Sequence, residues 1–253
     1  MRRLISFATI LIFIFAVSMI SIVEAKGPAK QTPDKGVKAP QIEFVEEVFV
    51  DYKTPTHAGP GPHPTTESDD FSLTMGGISW IVSTTTKYKI EGGEPVSGAN
   101  TALEAAEATW DGFVNPANFV RNDADPSPNP CGGSNRIEWG LIDGVGNALA
   151  FASVCRNVVT KEIVGFRMKL DTSETWSTNT PASDLDVENV ASHEWGHVAG
   201  LGHTNKPASG CLTMYNFADD GETQKRTLGL GDKLGMDTFY ATGITGPGPG
   251  CGF

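Results

Sequence analysis

Histidine is scarce in this chain, with five among 253 residues, and its four cysteines include no Cys-x-x-Cys pair. That missing spacing argues against a structural zinc-thiolate centre. Basic charge is also short: 19 Lys and Arg stand against 30 Asp and Glu, a net of −11. A nucleic-acid partner needs a basic surface to meet phosphate, so that class of ligand is excluded. The hydrophobic share of 39% is too high for a disordered chain and allows a sizeable core. No internal repeat is visible.

What is present begins with an apolar run. Arg2 and Arg3 precede uncharged residues 4–23, and Val23-Glu24-Ala25 offers small residues where a signal peptidase cuts. Residues 1–25 therefore read as a signal peptide, with Lys26 as the mature start. The 20 residues of the run also suffice to span a bilayer, which keeps a signal anchor open. Either route puts the rest of the chain outside the cytoplasm, secreted or tethered to the outer face of the membrane, which it touches only through this segment. Loss of Arg2, Arg3 and Glu24 leaves 17 basic and 29 acidic residues, a net of −12. An even set of cysteines in an exported chain implies two disulfides. Of three connectivities, the sequence-local one is expected: Cys131 with Cys155, and Cys211 with Cys251.

Residues 26–70, rich in Pro, Gly, Lys and Thr, read as a linker or short prosegment. His57 and His63 are solvated loop residues there, and Ile42, Phe44, Val45, Val48, Phe49 and Val50 form a short apolar patch that suits a strand or a prosegment stub. A single domain is expected over residues 71–243, followed by a Gly/Pro-rich tail, 244–253, that holds Cys251. Ile78, Trp80, Ile81 and Val82 suggest a strand. Thr101 and Glu104 form a Thr-x-x-Glu capping box, and Leu103, Ala106, Trp110 and Phe113 then recur at helical spacing. A loop rich in Pro and Asn covers 115–131; strands are predicted at 136–142, 148–154 and 162–170, and a second helix at 184–200. The order of elements predicts an α+β fold with α/β-type layers.

Positions 193–203 read His-Glu-Trp-Gly-His-Val-Ala-Gly-Leu-Gly-His. Four residues apart on a helix, His193 and His197 put both imidazoles on one face, one turn apart, as a zinc ion requires. Glu194 stands beside His193, where its carboxylate can reach a water on the same metal. Gly200 and Gly202 supply the helix break, since glycine tolerates the left-handed conformation, and His203 then arrives from outside the helix. Three neutral imidazoles leave one position open for water, which marks a catalytic rather than a closed structural zinc.

His193, Glu194, His197, Gly200 and His203 match the metzincin motif HExxHxxGxxH. Within that group the chain resembles the matrixins: Val190-Ala191-Ser192 resembles their approach to the motif, Thr204 stands where they usually have Ser, and Leu228, Asp232, Gly235, Met236 and Tyr240 resemble their last helix. The resemblance extends upstream through Asp143-Gly144-Val145-Gly146, Leu149-Ala150-Phe151-Ala152, Asp171, Glu174 and Trp176. It implies a metzincin-like catalytic domain: a twisted, mostly parallel sheet with one antiparallel edge strand, an active-site helix and a C-terminal helix. It also implies that Met214 forms a Met-turn beneath the metal as a support and not a ligand. A structural calcium is implied at Asp143, Asp171 and Glu174 with carbonyls of the loop containing Gly144 and Gly146, oxygen donors that suit that ion. Three departures stand out. Phe151 replaces a histidine of the family's second zinc, so only one zinc is expected. No cysteine precedes Cys131, so a cysteine switch is missing. Asn216 replaces the Pro that usually follows Met-Tyr.

These readings make the chain a zinc metalloendopeptidase with Glu194 as general base, acting as a monomer on a protein or peptide substrate laid along the strand at 148–154. The alternative is an exported, non-catalytic zinc-binding or surface-interaction protein on the same scaffold.

Overall fold

The computed structural model describes residues 43–54, 68–74, 77–80, 84–111, 117–179 and 183–240. The N-terminal segment, Ile42, His57, His63, Ile81, Val82, Phe113 and Cys251 lie outside the described residues. Among the described residues no helix is long and apolar enough to cross a membrane.

In chain order the strands are β1 (Phe44–Lys53), β2 (Ser72–Leu73), β3 (Ser79–Trp80), β4 (Thr84–Glu91), β5 (Ala117–Arg121), β6 (Arg136–Gly140), β7 (Ala148–Asn157), β8 (Glu162–Asp171), β9 (Trp176–Ser177), β10 (Leu185–Asp186), β11 (Leu201–Gly202) and β12 (Phe217–Ala218). The helices are α1 (Ala99–Asp111), α2 (Val187–Val198) and α3 (Leu230–Tyr240). The main sheet runs β12-β1-β7-β8-β6-β4-β5, with β3 pairing β8. Strands β4, β5, β6 and β8 are parallel, and β7 is antiparallel to both β8 and β1. The result is the mixed α/β architecture the sequence predicts, a mostly parallel sheet with an antiparallel member towards one side. Parallel neighbours need a crossover, and α1 supplies it between β4 and β5. Residues 44–53, inside the stretch read as a linker or prosegment, form a full strand of this sheet.

Strand β6 shows why the sheet has a core face. Ile137 and Trp139 point inward and alternate with half-buried Arg136, Glu138 and Gly140. Beneath the sheet Trp195 of α2 packs against Phe119, Phe166 and Tyr88, with ring centroids 5.0, 5.2 and 5.4 Å apart. Every residue of α2 except Glu188 is buried. A helix enclosed on all sides ordinarily has its polar groups met by protein; in α2 the Asn189 Nδ2, Ser192 Oγ, Trp195 Nε1 and both Glu194 carboxylate oxygens have no hydrogen-bond partner among the described residues.

Two local expectations change. Helix α1 begins at Ala99, so Thr101 lies inside it and is no N-cap. The helix start is held instead by Glu94, whose carboxylate accepts from the Asn100 N–H at 2.8 Å. Glu104, released from any capping role, pairs with Arg121 at 2.6 Å. The loop predicted over 115–131 contains β5, whose register is fixed by parallel pairing with β4 from Thr84 opposite Ala117 to Tyr88 opposite Arg121. The Cys131–Cys155 disulfide forms as expected, across a Cα separation of 5.6 Å. Cys211 is also disulfide-bonded.

Candidate active site

Asp186 opens α2: its side chain accepts from the Asn189 N–H at 2.8 Å, satisfying one of the free amides of the first turn. Two turns on, His193 and His197 face the same way. Their Nε2 atoms lie 3.1 Å apart, and each is 3.0–3.1 Å from Nε2 of His203. His193 Nδ1 is 2.6 Å from the Thr213 carbonyl, and His197 Nδ1 is 2.8 Å from the Leu201 carbonyl. A carbonyl only accepts, so each Nδ1 carries the hydrogen and donates it. The Nε2 atoms of both rings are then bare lone pairs facing each other without a proton between them. Burial keeps them so: it pushes His193 and His197 well below the usual imidazole range, with nearby Lys225 and the other triad rings adding to it. Burial, helped by Lys225, brings His203 down to about 4. Converging bare nitrogens repel unless a cation sits among them. A tetrahedral zinc with nitrogen ligands wants them about 3.3 Å apart, close to the spacing found. The donor set therefore fits zinc and leaves one position open.

The turn after α2 delivers His203. Gly200 takes φ 106°, and a Cβ there would come within 2.6 Å of the Ile78 carbonyl oxygen. Gly202 does not share that conformation. It lies in β11 opposite Ser72, and its lack of a side chain permits that close pairing. Aromatic donors tie down the helix: Trp110 Nε1 donates to the Ser192 carbonyl at 2.9 Å, Trp80 Nε1 to Val198 at 2.7 Å, and the Tyr240 hydroxyl to Ala199 at 2.8 Å.

Met214 is buried under α2, so close to Gly196 that any Cβ there would collide with its sulfur and with Trp110. Its turn is tied to both ends of the triad. The Thr213 carbonyl orients His193, and the Met214 carbonyl accepts from Thr204, next to His203, at 2.8 Å. The Asp232 carboxylate of α3 holds the turn by accepting from Thr213, Met214 and Gly229 N–H groups at 2.8, 3.1 and 2.9 Å. Burial raises the Asp232 pKa, and these three amides hold it back.

Glu194 is fully buried, and neither carboxylate oxygen has a hydrogen-bond partner among the described residues. Burial, with repulsion from Asp51, pushes its pKa well above the usual carboxylate range, and Lys225 opposes this. A divalent cation at the triad would act in the opposite sense. Across from Glu194 runs β1, paired antiparallel with β7 from Phe44 opposite Asn157 to Tyr52 opposite Ala148. The strand expected to receive substrate at 148–154 is therefore covered along its outer edge. The Phe49 ring stacks on His197, with centroids 4.4 Å apart and planes at 12°. Asp51 is fully buried, and burial raises its pKa to about 7 despite Lys225; the Tyr52 amide eases its charge without reaching hydrogen-bond geometry.

The five candidate calcium residues do come together, but in another arrangement. Asp171 accepts from the N–H groups of Asp143 at 3.1 Å and Gly144 at 3.3 Å, and from Ser173; Glu174 accepts from the Gly146 N–H. Burial alone would raise the Asp171 pKa, and these donors bring it below its ordinary value. Amide hydrogens aimed at the carboxylates point towards anions, so the loop does not fit a cation in this form. Among the described residues the histidine triad is the one group of three or more His, Cys, Asp or Glu side chains with ligand atoms within 4.8 Å of one another.

Phe49, Asp51, Lys225 and Asp232 are placed at the site without having been assigned a role in it from sequence. Phe49 belonged to a visible apolar patch, and Asp232 to a family-like helix. Nothing in the sequence around Asp51 or Lys225 distinguishes them from surface charges.

The family described as Matrixin matches residues 133–241. Metalloendoproteinase 4-MMP of Arabidopsis thaliana is 36% identical over 81 residues, which cover 30% of this chain and 22% of that protein's length. The match thus spans about a fifth of the curated relative. The matched residues include the triad, Met214 and all of α3. The mostly parallel sheet and the three converging histidines accompany a likeness to the matrixins over residues 133–241.

Proposed function

We propose that this chain is a zinc-dependent metalloendopeptidase of extracellular protein or peptide substrates, working as a monomer. In this reading residues 1–25 direct export or anchor the chain, 26–70 are a linker or short prosegment that lends β1 to the sheet, and 71–243 form the peptidase domain. His193, His197 and His203 hold the metal, and Met214 supports the site from below. Zinc bound there supplies a Lewis acid that polarises the scissile carbonyl and makes water nucleophilic near neutral pH. Glu194 takes the proton from the attacking water and hands it to the leaving amine. Enclosure by α2 and the sheet keeps bulk water from competing for that carboxylate. Calcium is not part of this reading, because the Asp171 and Glu174 carboxylates are engaged by loop amides.

The observation that carries the proposal is Glu194: a fully buried carboxylate without a hydrogen-bond partner among the described residues, adjacent in sequence to a triad ligand. Burial without a partner destabilises a fold by a few kcal/mol, which a merely structural metal site gives no reason to accept. The test uses the zinc-loaded full chain carrying Phe49→Ala, which removes the ring over His197, with and without Glu194→Gln. Denatured protein should be cleaved by the first, and at least about a hundredfold more slowly by the second, at equal zinc content. Equal cleavage by both removes Glu194 from the mechanism. No cleavage by either, with zinc bound, favours the non-catalytic zinc-binding alternative.

A further inference from the structure

A strand has two edges, and its backbone groups turn alternately to one and the other. The segment leading into β12 adjoins the triad at His203: Thr204 bridges to Tyr215, and the Asn216 N–H donates to the Thr204 carbonyl at 3.1 Å. Among the described residues β12 has one strand neighbour, β1. On that outer edge the Ala218 carbonyl accepts from the Thr54 N–H at 3.1 Å. The inner edge has no strand beside it among the described residues. There the Tyr215 and Phe217 carbonyls accept from the ammonium of Lys225 at 2.7 and 2.8 Å.

Lys225 is fully buried. Enclosing an ammonium is costly, and an apolar side chain would fill the same space without that cost. What the ammonium adds is a pair of donors that stand in for an absent strand. Its stem rises from the short helical turn Gln224–Arg226, which is fixed on both sides: Gln224 Nε2 donates to the Gly210 carbonyl at 2.7 Å, and Arg226 Nε to Asp186 at 2.8 Å. The backbone of Lys225 joins the elements of the triad. Its N–H donates to the Asn189 side chain, one turn before His193 on α2, at 2.8 Å, and its carbonyl accepts from Thr213 Oγ1 at 3.3 Å. Thr213 is the residue whose carbonyl orients His193. One residue thus ties together the helix that carries two histidines of the triad, the turn that holds Met214 and the strand beside them.

We propose that Lys225 is a positioning residue for substrate. By holding the inner edge of β12 it fixes where the outer edge lies relative to the triad, and on that outer edge the main chain of an extended peptide finds its hydrogen bonds. The inference rests on the peptidase reading for the meaning of that edge. In this role Lys225 touches neither metal nor peptide and acts through β12 alone. Its loss therefore spares the affinity of the metal for a small ligand and weakens only what extends along the strand.

The test reads binding, so it does not depend on turnover. The zinc-loaded full chain carrying Phe49→Ala is offered two probes, with affinity measured by calorimetry. Acetohydroxamate meets the metal alone; a hydroxamate with a short alanine-amide tail also meets the strand through main-chain groups. The tailed probe should bind the more tightly, and a tail that adds nothing overturns β12 as the receiving strand. Adding Lys225→Met should weaken the tailed probe about tenfold and leave acetohydroxamate within about twofold, at equal zinc content. Equal weakening of both probes, or of neither, overturns the assignment. If Lys225→Met does not fold, carbonyl-carbon NMR shifts in the Phe49→Ala chain decide. The tailed probe should then move Ala218 and leave Tyr215 and Phe217 in place; movement of all three together, or of none, overturns the assignment. Failure of both probes to bind contradicts the peptidase reading and takes the inference with it. Probes that separate as expected on a chain that cleaves nothing refute only that reading.

Discussion

A neutral imidazole has one N–H and one bare nitrogen, and which is which decides whether it can hold a metal. At His193 and His197 two backbone carbonyls, of Thr213 and Leu201, make that choice. The spacing of the histidines was readable in sequence because a helix repeats every 3.6 residues. The carbonyls that orient them were not, since Thr213 is 20 residues away and arrives through the turn before Met214. Asp232 controls that turn with three accepted N–H groups. Replacing it by Ala leaves three buried donors without a partner. Asp232→Ala is expected to lower stability by about 2–4 kcal/mol, read from urea midpoints, and to weaken zinc retention against a chelator. An unchanged midpoint would mean that the turn stands without α3.

Among the elements, α1 illustrates what pattern alone can decide. Its apolar stripe of Leu103, Ala106 and Trp110 is buried as the 3.6-residue spacing predicts. Its start is set by Glu94 in the preceding loop, so a Thr-x-x-Glu sequence inside the helix misleads. Strands β4 and β5 were less legible because Thr and Lys fill much of β4, and just Tyr88 and Ile90 carry a core signal there. The apolar patch of β1 was visible, but its neighbour was not: periodicity identifies a strand and not the distant strand it joins. Helix α1 also carries a pH response. Burial first, and the Asp111 carboxylate second, push Glu107 up to about 8 from 4.5. The folded form thus keeps a proton that the unfolded chain releases. This stabilisation is complete below about pH 4.5 and is lost as pH rises through about 8. Allowing for solvent screening at this half-buried site, the loss is on the order of 1 kcal/mol. Urea midpoints at pH 5.5 and 8.5 should differ in that direction, and Glu107→Gln should flatten the difference; a midpoint that rises with pH and is indifferent to Glu107 would contradict it.

For the whole molecule, the cross-link and the sheet support each other. The Cys131–Cys155 bond closes a separation of 24 residues and ties the loop before β6 to β7, the strand against which β1 lies. Restricting the unfolded chain to that extent is worth about 3 kcal/mol. Reduction, or Cys131→Ser with Cys155→Ser, is expected to cost about that much in a denaturation curve. A loss below about 0.5 kcal/mol would mean that strain or residual structure offsets the cross-link. The acidic balance of −11 remains compatible with a single buried cationic group at the cleft, because Lys225 is shielded from the surface acids that dominate the total.

Everything above the level of the fold depends on the triad holding zinc. X-ray absorption at the zinc edge, on the full chain reconstituted with one equivalent of zinc, addresses this directly. The account predicts a first shell of three imidazole nitrogens at about 2.0–2.1 Å with one light oxygen neighbour, and loss of one imidazole in His203→Ala. A sulfur-containing shell near 2.3 Å, or a spectrum unchanged by His203→Ala, would contradict it.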